Sequence, residues 1–294
     1  MKVHVPHFHS LNEVLIWAKD LCLMDGERSA PRGMSTFETI GVGFCLTDPL
    51  ARIPDFPQRH WSLPLAIGEL CWHIRASDSL AELSYYLPKW EDYSDDGLFV
   101  RGSCYGKKAF SKTGSKSQWE TARDILLADE SSRRAIIVFD HTISSDVDTL
   151  DKSCLTSMQF LIRENRLHAL CSMRSNDVFI GLPYDVFSFT MFQELMANDL
   201  GIELGNYYHF AGSFHLYERD VDRALLSYNS DGRDNFVGIP MKRMPKDSGI
   251  NEFIILEEEI RLHGSCKGLD KLNRYWDDFA RTLLRFGQKR KIKV

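Results

Sequence analysis

The part of the sequence that decides the fold reads LDKSCLTSMQFLI at residues 150–162, CSMRSNDVFIGLPYDVFSF at residues 171–189 and GSFHLYERD at residues 212–220. Within it, the runs 157–162 and 167–173 are rich in residues that favour strands. They predict a β-hairpin with Glu164 and Asn165 near its turn. Cys154 stands just before this hairpin. The stretch therefore predicts strand structure that begins next to a cysteine.

Hydrophobic periodicity elsewhere predicts both helices and strands. Helical spacing is clearest at Leu11–Leu23, Leu63–Ile74, Trp119–Leu127, Phe187–Leu200 and Leu269–Phe286. Further strand-like runs lie at Phe37–Leu46, Ala135–Phe139 and Phe253–Leu256. These elements mix without strict strand–helix alternation, which favours an α+β domain with helices packed on a sheet. No internal repeat or low-complexity linker interrupts the chain, so we predict a single domain over residues 1–294.

Composition excludes several classes of protein. The 294 residues are 44% apolar and 26% charged, as is usual for a soluble globular protein. A formal charge of -5 argues against broad nonspecific binding of nucleic acid. No apolar run approaches the roughly 18 residues that a membrane span needs. The first ten residues lack the apolar core of a signal peptide, so we expect a cytoplasmic protein.

The cysteines and the N-terminal histidines predict no metal site. The seven cysteines are scattered and form no CxxC pair, which suits reduced thiols better than disulfides or a zinc site. Most should be buried and inert. His4, His7 and His9 are interpreted as an exposed polar N-terminus, and the basic run at residues 289–293 as a solvated tail.

Several separated positions carry a family resemblance. An Arg-Ser-x-Asp-x-x-x-Gly-x-Pro segment follows the cysteine, and a His-x-Tyr pair comes later. With these residues the chain closely resembles the thymidylate synthase family, which includes the cytidylate hydroxymethylases. The matching positions are Cys154, Gln159, Arg174, Ser175, Asp177, Gly181, Pro183, His215 and Tyr217. So many matches at the expected spacings are far more specific than one short motif.

Upstream the resemblance continues at lower density. The helix-like GELCWHI places the family's catalytic carboxylate at Glu69, and Trp90 and Tyr93 match aromatic residues near the folate site. The segment SSRRAII matches a pair of arginines, Arg133 and Arg134, that reach the phosphate of the neighbouring subunit. The resemblance covers roughly residues 10–230 and leaves residues 231–294 divergent. It implies a thymidylate synthase-type homodimer with a mixed sheet, one face of which forms the interface.

The resemblance also implies a reaction. A thiolate, here Cys154, adds to C6 of a pyrimidine nucleotide, so that C5 becomes a carbon nucleophile that attacks a one-carbon unit. Thiolate suits this role because it is a strong nucleophile and later a competent leaving group. The implied co-substrate is 5,10-methylenetetrahydrofolate, and no metal is implied. The implied general base and proton relay is Glu69.

Arginines would bind the substrate phosphate and activate the thiol. The resemblance assigns these roles to Arg174 and to Arg133 and Arg134 of the partner subunit. A further arginine is expected on an early loop, where Arg32 in SAPRGMST is preferred and Arg28 is the alternative. The remaining implied contacts are Gln159, Ser175 and Asn176 to the nucleotide, His215 and Tyr217 to the sugar, Asp177 to the pterin, and Gly181, Trp90 and Tyr93 to the folate.

Position 185 departs from the methylating members of the family and indicates the substrate. They have Asn there, whereas this chain has Asp185. An amide can both donate to uracil O4 and accept from its N3–H, but an ionised carboxylate only accepts. A carboxylate therefore suits the N4 amino group of cytosine and can stabilise a proton on N3. Cytidylate hydroxymethylases carry Asp at this position, so the resemblance predicts a cytosine nucleotide.

Two further departures concern the environment of the reaction. The chain ends in QKRKIKV rather than in the family's short apolar tail that excludes water. A wetter site would let water, rather than hydride, complete the product and give a hydroxymethyl group. The residue after the cysteine is Leu155 where thymidylate synthases usually have His, and its consequence stays open.

The sequence thus predicts a folate-dependent C5 hydroxymethyltransferase that acts on a cytidine monophosphate. The deoxyribonucleotide would fit DNA modification, and the ribonucleotide would fit nucleoside-antibiotic biosynthesis. Two alternatives remain: a thymidylate synthase that methylates dUMP, and an inactive nucleotide-binding protein. The aromatic pair Trp90 and Tyr93 could also be core residues, and His215 could be structural.

Overall fold

The structure is a computed structural model that describes residues 5–56, 58–140, 149–228, 238–269 and 272–291. It divides into two compact units. The sheet unit contains the described parts of residues 1–61, 121–140 and 154–241, and the helical unit contains those of residues 62–120, 141–153 and 242–294. His4, the end of the basic tail and the boundary predicted at residue 231 lie outside the described residues.

The strands and helices mix along the chain. The described strands are β1 (His7–Phe8), β2 (Glu27–Ser29), β3 (Thr36–Leu46), β4 (Ile136–Val138), β5 (Leu155–Arg163), β6 (Arg166–Asp177) and β7 (Glu203–Tyr217). The described helices are α1 (Leu11–Asp25), α2 (Leu63–Ile74), α3 (Leu80–Ser84), α4 (Tyr105–Phe110), α5 (Gln118–Ala128), α6 (Gly181–Leu200), α7 (Val221–Ser227), α8 (Ile250–His263) and α9 (Arg274–Lys291).

The sheet unit is built on a mixed sheet. Its strands follow the order β1-β3-β7-β6-β5-β4, and β2 pairs with β3. The pairs β1–β3 and β6–β7 are parallel, and the other pairs are antiparallel. Ser10 precedes helix α1, and its side chain caps the backbone N–H of Glu13; Gly201 follows α6 in the left-handed conformation. Both helices contact the sheet, so the core of this unit lies between them and the central strands.

The predicted hairpin is present as β5 and β6. Glu164 and Asn165 form its turn with φ of 51° and 56°, as the two central residues of a type I′ turn require. The pairing runs from this turn to the far end, where the Arg174 amide donates to the Cys154 carbonyl at 2.9 Å. The turn sets the register of the hairpin as far as Ser157, and a β-bulge between Leu155 and Ser157 then brings the cysteine opposite the arginine.

The helical unit is held by a buried carboxylate. Glu257 of α8 is fully buried and accepts hydrogen bonds from Arg75, at the end of α2, and from Tyr86 at 2.6 Å. Arg261, one turn further along α8, donates to the same carboxylate at 3.0 Å. Because a buried charge is tolerated only when it is paired and hydrogen-bonded, this network fixes α8 on α2.

One predicted strand is wrong. Phe253–Leu256 lies inside helix α8. The short apolar run FIIL fits either structure, but the buried residues Ile250, Phe253, Leu256 and Ile260 recur at three- and four-residue intervals, which is helical spacing. The wider pattern therefore identifies the helix that the short run conceals.

The other predicted elements occur, with the predicted ends for α2 and with shifted ends for the rest. Helix α6 begins at Gly181 rather than near Phe187, and the last described helix begins at Arg274 rather than near Leu269. The long strand β7 was not predicted, although the His-x-Tyr motif lies at its end. Across the described ranges no helix has the length and apolar character that crossing a membrane requires.

Candidate active site

A half-buried cysteine and an exposed arginine meet at the open end of the β5–β6 hairpin. Arg174 Nη2 lies 3.6 Å from Cys154 Sγ and donates a hydrogen bond to it. Cys154 retains solvent access, whereas Cys22, Cys45 and Cys171 are buried. A positive charge next to a partly exposed sulfur is the environment that makes a cysteine reactive. This contact is therefore the start of a candidate nucleophilic site.

The pair of strands next to this contact carries two more predicted residues. In the parallel register of β6 and β7, Asp177 lies opposite His215. The His215 ring is buried and packs edge-on against Tyr217, with 5.1 Å between ring centroids. Burial lowers the pKa of His215, which keeps the ring neutral near pH 7. A neutral imidazole and a phenol are suitable partners for sugar hydroxyls.

Asp177 shapes the connection from β6 to α6. Its Oδ1 accepts hydrogen bonds from the backbone N–H groups of Phe179 at 2.9 Å and Ile180 at 3.1 Å. Burial nevertheless raises the pKa of this carboxyl. The turn that Asp177 closes leads directly to Gly181, where α6 begins. Asp177 therefore has a structural function in addition to the pterin contact predicted for it.

Asp185 lies in the second turn of α6. Its Oδ2 accepts a hydrogen bond from Asn176 Nδ2 at 2.7 Å. Burial and, to a smaller extent, the nearby charge of Asp177 raise the pKa of Asp185 to about 7 in spite of the hydrogen bond from Asn176, which lowers it. A carboxyl with this pKa exists in both protonation states near neutral pH.

His209 and Tyr207, which were not predicted as site residues, extend the hydrogen-bond network beyond Asn176. Asn176 Oδ1 lies 3.0 Å from His209 Nε2, and His209 Nδ1 lies 2.8 Å from the Tyr207 hydroxyl. All three side chains are buried. The signal available in the sequence was the two-residue period of a strand, which puts Tyr207 and His209 on one face of β7.

The predicted phosphate arginines lie at several places in the sheet unit. Arg133 and Arg134 are exposed just before β4, and Gln159 Nε2 donates to the Arg133 carbonyl at 2.8 Å. Arg32 is exposed in the short turn Pro31–Gly33, whereas Arg28 is paired with Glu218 at 2.9 Å. The ion pair of Arg28 favours Arg32 as the arginine that is available to a phosphate.

The helical unit contains the remaining predicted residues. Glu69 is half-buried in the middle of α2. Trp90 and Tyr93 lie in the short helix Pro88–Tyr93 with 5.6 Å between their ring centroids. Trp90 packs on the apolar core of this unit, and Tyr93 is exposed. The aromatic pair is thus partly a core feature, as the alternative interpretation proposed.

The sheet unit contains most of the site residues that the sequence predicted. The sheet unit brings together Cys154, Arg174, Ser175, Asn176, Asp177, Asp185, Gly181, His215 and Tyr217 on β6, β7 and the adjoining ends of β5 and α6. In the part of the chain that the structure describes, no group of three or more His, Cys, Asp or Glu side chains is arranged to hold a metal ion. The site therefore combines the Cys154 thiol, the Arg174 guanidinium and several polar side chains of β6 and β7.

The raised pKa of Asp185 predicts a pH-dependent cost in stability. The folded-state pKa of about 7 lies above the ordinary 3.8, so the ionised carboxylate destabilises the fold. This cost is absent below about pH 4 and complete above about pH 7. Asp185→Asn should therefore raise the free energy of unfolding at pH 8, by no more than about 4 kcal/mol, and change it little at pH 4.

Urea denaturation of the wild type and the variant across this pH range measures the effect. Asp199→Asn, at an exposed position of the same helix, is the matched control and should change stability by less than about 0.5 kcal/mol throughout. A gain for Asp185→Asn that does not grow with pH would show that burial does not raise the pKa of Asp185.

Comparisons with known proteins agree on one family. A family model described as Thymidylate synthase matches residues 21–264, beyond the residue near 230 where the recognisable motifs end. A deoxyuridylate hydroxymethyltransferase of Delftia phage PhiW-14 is 29% identical over 204 residues, which cover 65% of this chain and 56% of the relative. A protein of the same name from Bacillus phage SP01 is 25% identical over 209 residues, covering 67% and 55%. The chain spans about half the length of the curated relatives it matches.

Proposed function

This chain belongs to the thymidylate synthase family, and from that premise we propose that it is a folate-dependent C5 hydroxymethyltransferase of a pyrimidine nucleoside monophosphate, with CMP or dCMP as substrate. The family and the α+β fold with a mixed sheet are as the sequence predicted. The observation that carries the activity is the contact between the Arg174 guanidinium and the Cys154 sulfur. It combines the nucleophile with a cation that can also bind a phosphate.

Cys154 begins the proposed reaction. Its thiolate adds to C6, and the electron pair of the C5–C6 bond moves to C5, which attacks the methylene carbon of the co-substrate. The C5 proton then leaves, and expulsion of tetrahydrofolate gives an exocyclic methylene group. Water adds to that methylene and loses a proton. The electron pair returns to the ring and expels the thiolate, which leaves the hydroxymethyl nucleotide and regenerates Cys154.

Other residues supply binding and proton transfer in this proposal. Glu69 is the general base, and Asp177, Gly181, Trp90 and Tyr93 contact the folate. These roles rest on the family motifs. Glu69 is half-buried, which is compatible with proton exchange through water.

The nucleotide would be held by residues of the sheet unit. Arg32 and Arg174 are exposed cations suited to its phosphate, and His215 and Tyr217 are suited to the sugar. Ser175 is half-buried next to Arg174 and offers a hydroxyl donor. Gln159 acts on the loop of Arg133 through its hydrogen bond to the carbonyl of that residue.

We propose a homodimer in which Arg133 and Arg134 reach the partner's phosphate. Both arginines are exposed at the edge of the sheet. The apolar side chains Ile136, Val138 and Phe210 of β4 and β7 are also 36–44% exposed. Covering such side chains with a second copy would remove apolar surface from water.

Asp185 supports cytosine as the base. When it is ionised, Asp185 Oδ1 can accept from the N4 amino group, whereas uracil O4 would face it with an unfavourable lone pair. Leaving one buried polar group mispaired costs about 1–3 kcal/mol, enough for tenfold or greater discrimination.

A specific observation favours deoxyuridylate hydroxymethylation as the second candidate. Both relatives above are named deoxyuridylate hydroxymethyltransferases. With a pKa of about 7, Asp185 is also present in its protonated form, which offers an O–H donor beside a carbonyl acceptor. That pattern matches uracil O4 and N3–H. The two candidates share every step except the recognition of the base.

Analysis of the product tests the proposed function. The protein is incubated with CMP, dCMP or dUMP and methylenetetrahydrofolate, and the nucleotides are analysed by mass spectrometry. The proposal predicts that a cytosine nucleotide gains the mass of one CH₂O unit, with no rise in dihydrofolate absorbance. Gain of that mass on dUMP alone supports the second candidate. A methylated product with dihydrofolate identifies a thymidylate synthase, and no product identifies a binding protein; either result contradicts hydroxymethylation.

A further inference from the structure

A chain of three hydrogen bonds, two of them fully buried, connects the half-buried Asp185 carboxyl to the Tyr207 hydroxyl on β7. They join Asp185 Oδ2 to Asn176 Nδ2 at 2.7 Å, Asn176 Oδ1 to His209 Nε2 at 3.0 Å, and His209 Nδ1 to the Tyr207 hydroxyl at 2.8 Å. The exposed fractions of the Tyr207, His209 and Asn176 side chains are 0%, 0% and 2%. Because these three side chains are removed from bulk solvent, the protein itself must satisfy their polar atoms, and the Tyr207 hydroxyl is also hydrogen-bonded to the Cys171 thiol.

When Asp185 is ionised, the chemistry of each group fixes which atom donates and which accepts. An ionised carboxylate only accepts, so the Asn176 amide must turn its nitrogen toward Asp185 and its oxygen toward His209. Burial lowers the pKa of His209 to about 3, so the ring is neutral and carries one N–H. That N–H must be on Nε2 to meet the amide oxygen, which leaves Nδ1 as the acceptor of the Tyr207 proton.

We infer that Tyr207, His209 and Asn176 form a hydrogen-bond relay that positions the Asp185 carboxylate and thereby selects the base of the substrate. Asp185 Oδ2 accepts the hydrogen bond from Asn176, so Asp185 Oδ1 is the atom that would contact the base. Asn176 acts here through Asp185, as a positioning residue. The inference rests on the proposed function for its consequence in catalysis, but the relay itself can be tested without turnover.

Few other titratable groups face Asp185. Those in the described part of the sheet unit are Asp177 and Cys171 on β6 and Tyr207 on β7. Burial raises the pKa of the Cys171 thiol and of the Tyr207 phenol, so both are neutral near pH 7. Asp177 can carry a negative charge like that of Asp185, and this like charge raises the pKa of Asp185. The Asn176 donor is thus the contact that favours ionisation.

Tyr207→Phe is the sharpest test, because it removes one remote hydroxyl and leaves the ring. His209 Nδ1 then loses its donor, which weakens the preference for the Nε2–H tautomer and the orientation of the amide. Asn176→Leu removes the donor to Asp185 directly. Tyr208→Phe, one residue away and bonded to Asn206 at 3.4 Å, is the matched control.

Carbon-13 NMR of the Asp carboxyl groups in the full chain measures the titration of Asp185, which is assigned by its absence in Asp185→Asn. Asn176→Leu should move the midpoint upward by about one pH unit or more. Tyr207→Phe should move it in the same direction by less, and Tyr208→Phe should leave it unchanged. Nitrogen-15 shifts of the wild-type His209 ring should report the Nε2–H tautomer. The Nδ1–H tautomer, or an unchanged midpoint in both relay variants, would overturn the inference.

Competition between cytosine and uracil nucleotides at pH 7.5 then tests the consequence for the base. Because a larger fraction of Asp185 is protonated in both relay variants, their preference for cytosine over uracil nucleotides should be weaker than that of the wild type. Tyr208→Phe should keep the wild-type ratio. An active wild type with the same ratio in all variants overturns the role in base selection. An inactive wild type that shows the predicted titration refutes the proposed function and leaves the positioning of Asp185 established.

Discussion

Replacing Cys154 with Ala should reduce the rate of hydroxymethyl transfer by about 10⁴-fold or more. Without the thiolate, C5 of the pyrimidine does not become nucleophilic, and no other residue of the site offers a soft nucleophile. In the proposed function, the arginine, histidine and tyrosine side chains bind the nucleotide without a bond to the sulfur. Nucleotide affinity, measured by calorimetry, should therefore change by less than about tenfold.

Cys266→Ala is the matched control for this prediction. Cys266 is the other described cysteine that is not buried, and it lies in the helical unit. Its replacement should leave turnover unchanged. The assignment of the nucleophile is wrong if Cys154→Ala keeps more than about one per cent of the wild-type rate.

Replacing Asp185 with Asn should change the ratio of kcat/KM for cytosine over uracil nucleotides by about 10³-fold in favour of uracil. The amide removes a good acceptor from the N4 amino group and supplies the donor that uracil O4 requires. It also removes the group that stabilises a proton on N3. Both bases are affected in opposite directions, which is why the ratio changes more than either rate.

Steady-state kinetics with CMP, dCMP and dUMP measures this ratio at pH 6 and pH 8. In the wild type, preference for cytosine should increase with pH because ionisation of Asp185 increases. In Asp185→Asn the ratio should not depend on pH over this range. An unchanged base preference in the variant would show that Asp185 does not recognise the base.

Much of the sheet unit was predictable because its signals are local. The Glu164–Asn165 turn specifies the hairpin, and a β-bulge near its far end, which the sequence did not predict, brings Cys154 opposite Arg174. The family motifs then named Asp185 and His215 before their surroundings were visible. The spacing of residues along the chain was enough to predict a site residue wherever its partner belongs to the same hairpin or motif.

The relay behind Asp185 was not predictable in the same way. Asn176 and His209 are thirty-three residues apart, and their contact depends on the parallel pairing of β6 with β7. Neither strand predicts its partner from its own composition. The wrong strand at Phe253–Leu256 has a related cause, because four apolar residues do not distinguish a buried helix from a strand.

The direct test of Cys154 as the nucleophile is release of tritium from 5-³H-labelled CMP, dCMP and dUMP, because in the proposed reaction the C5 proton leaves only after the thiolate has added to C6. We expect release that depends on methylenetetrahydrofolate, that is faster from a cytosine nucleotide than from dUMP at pH 8, and that is absent in Cys154→Ala. No release from any of the three nucleotides, or equal release from Cys154→Ala, would contradict it.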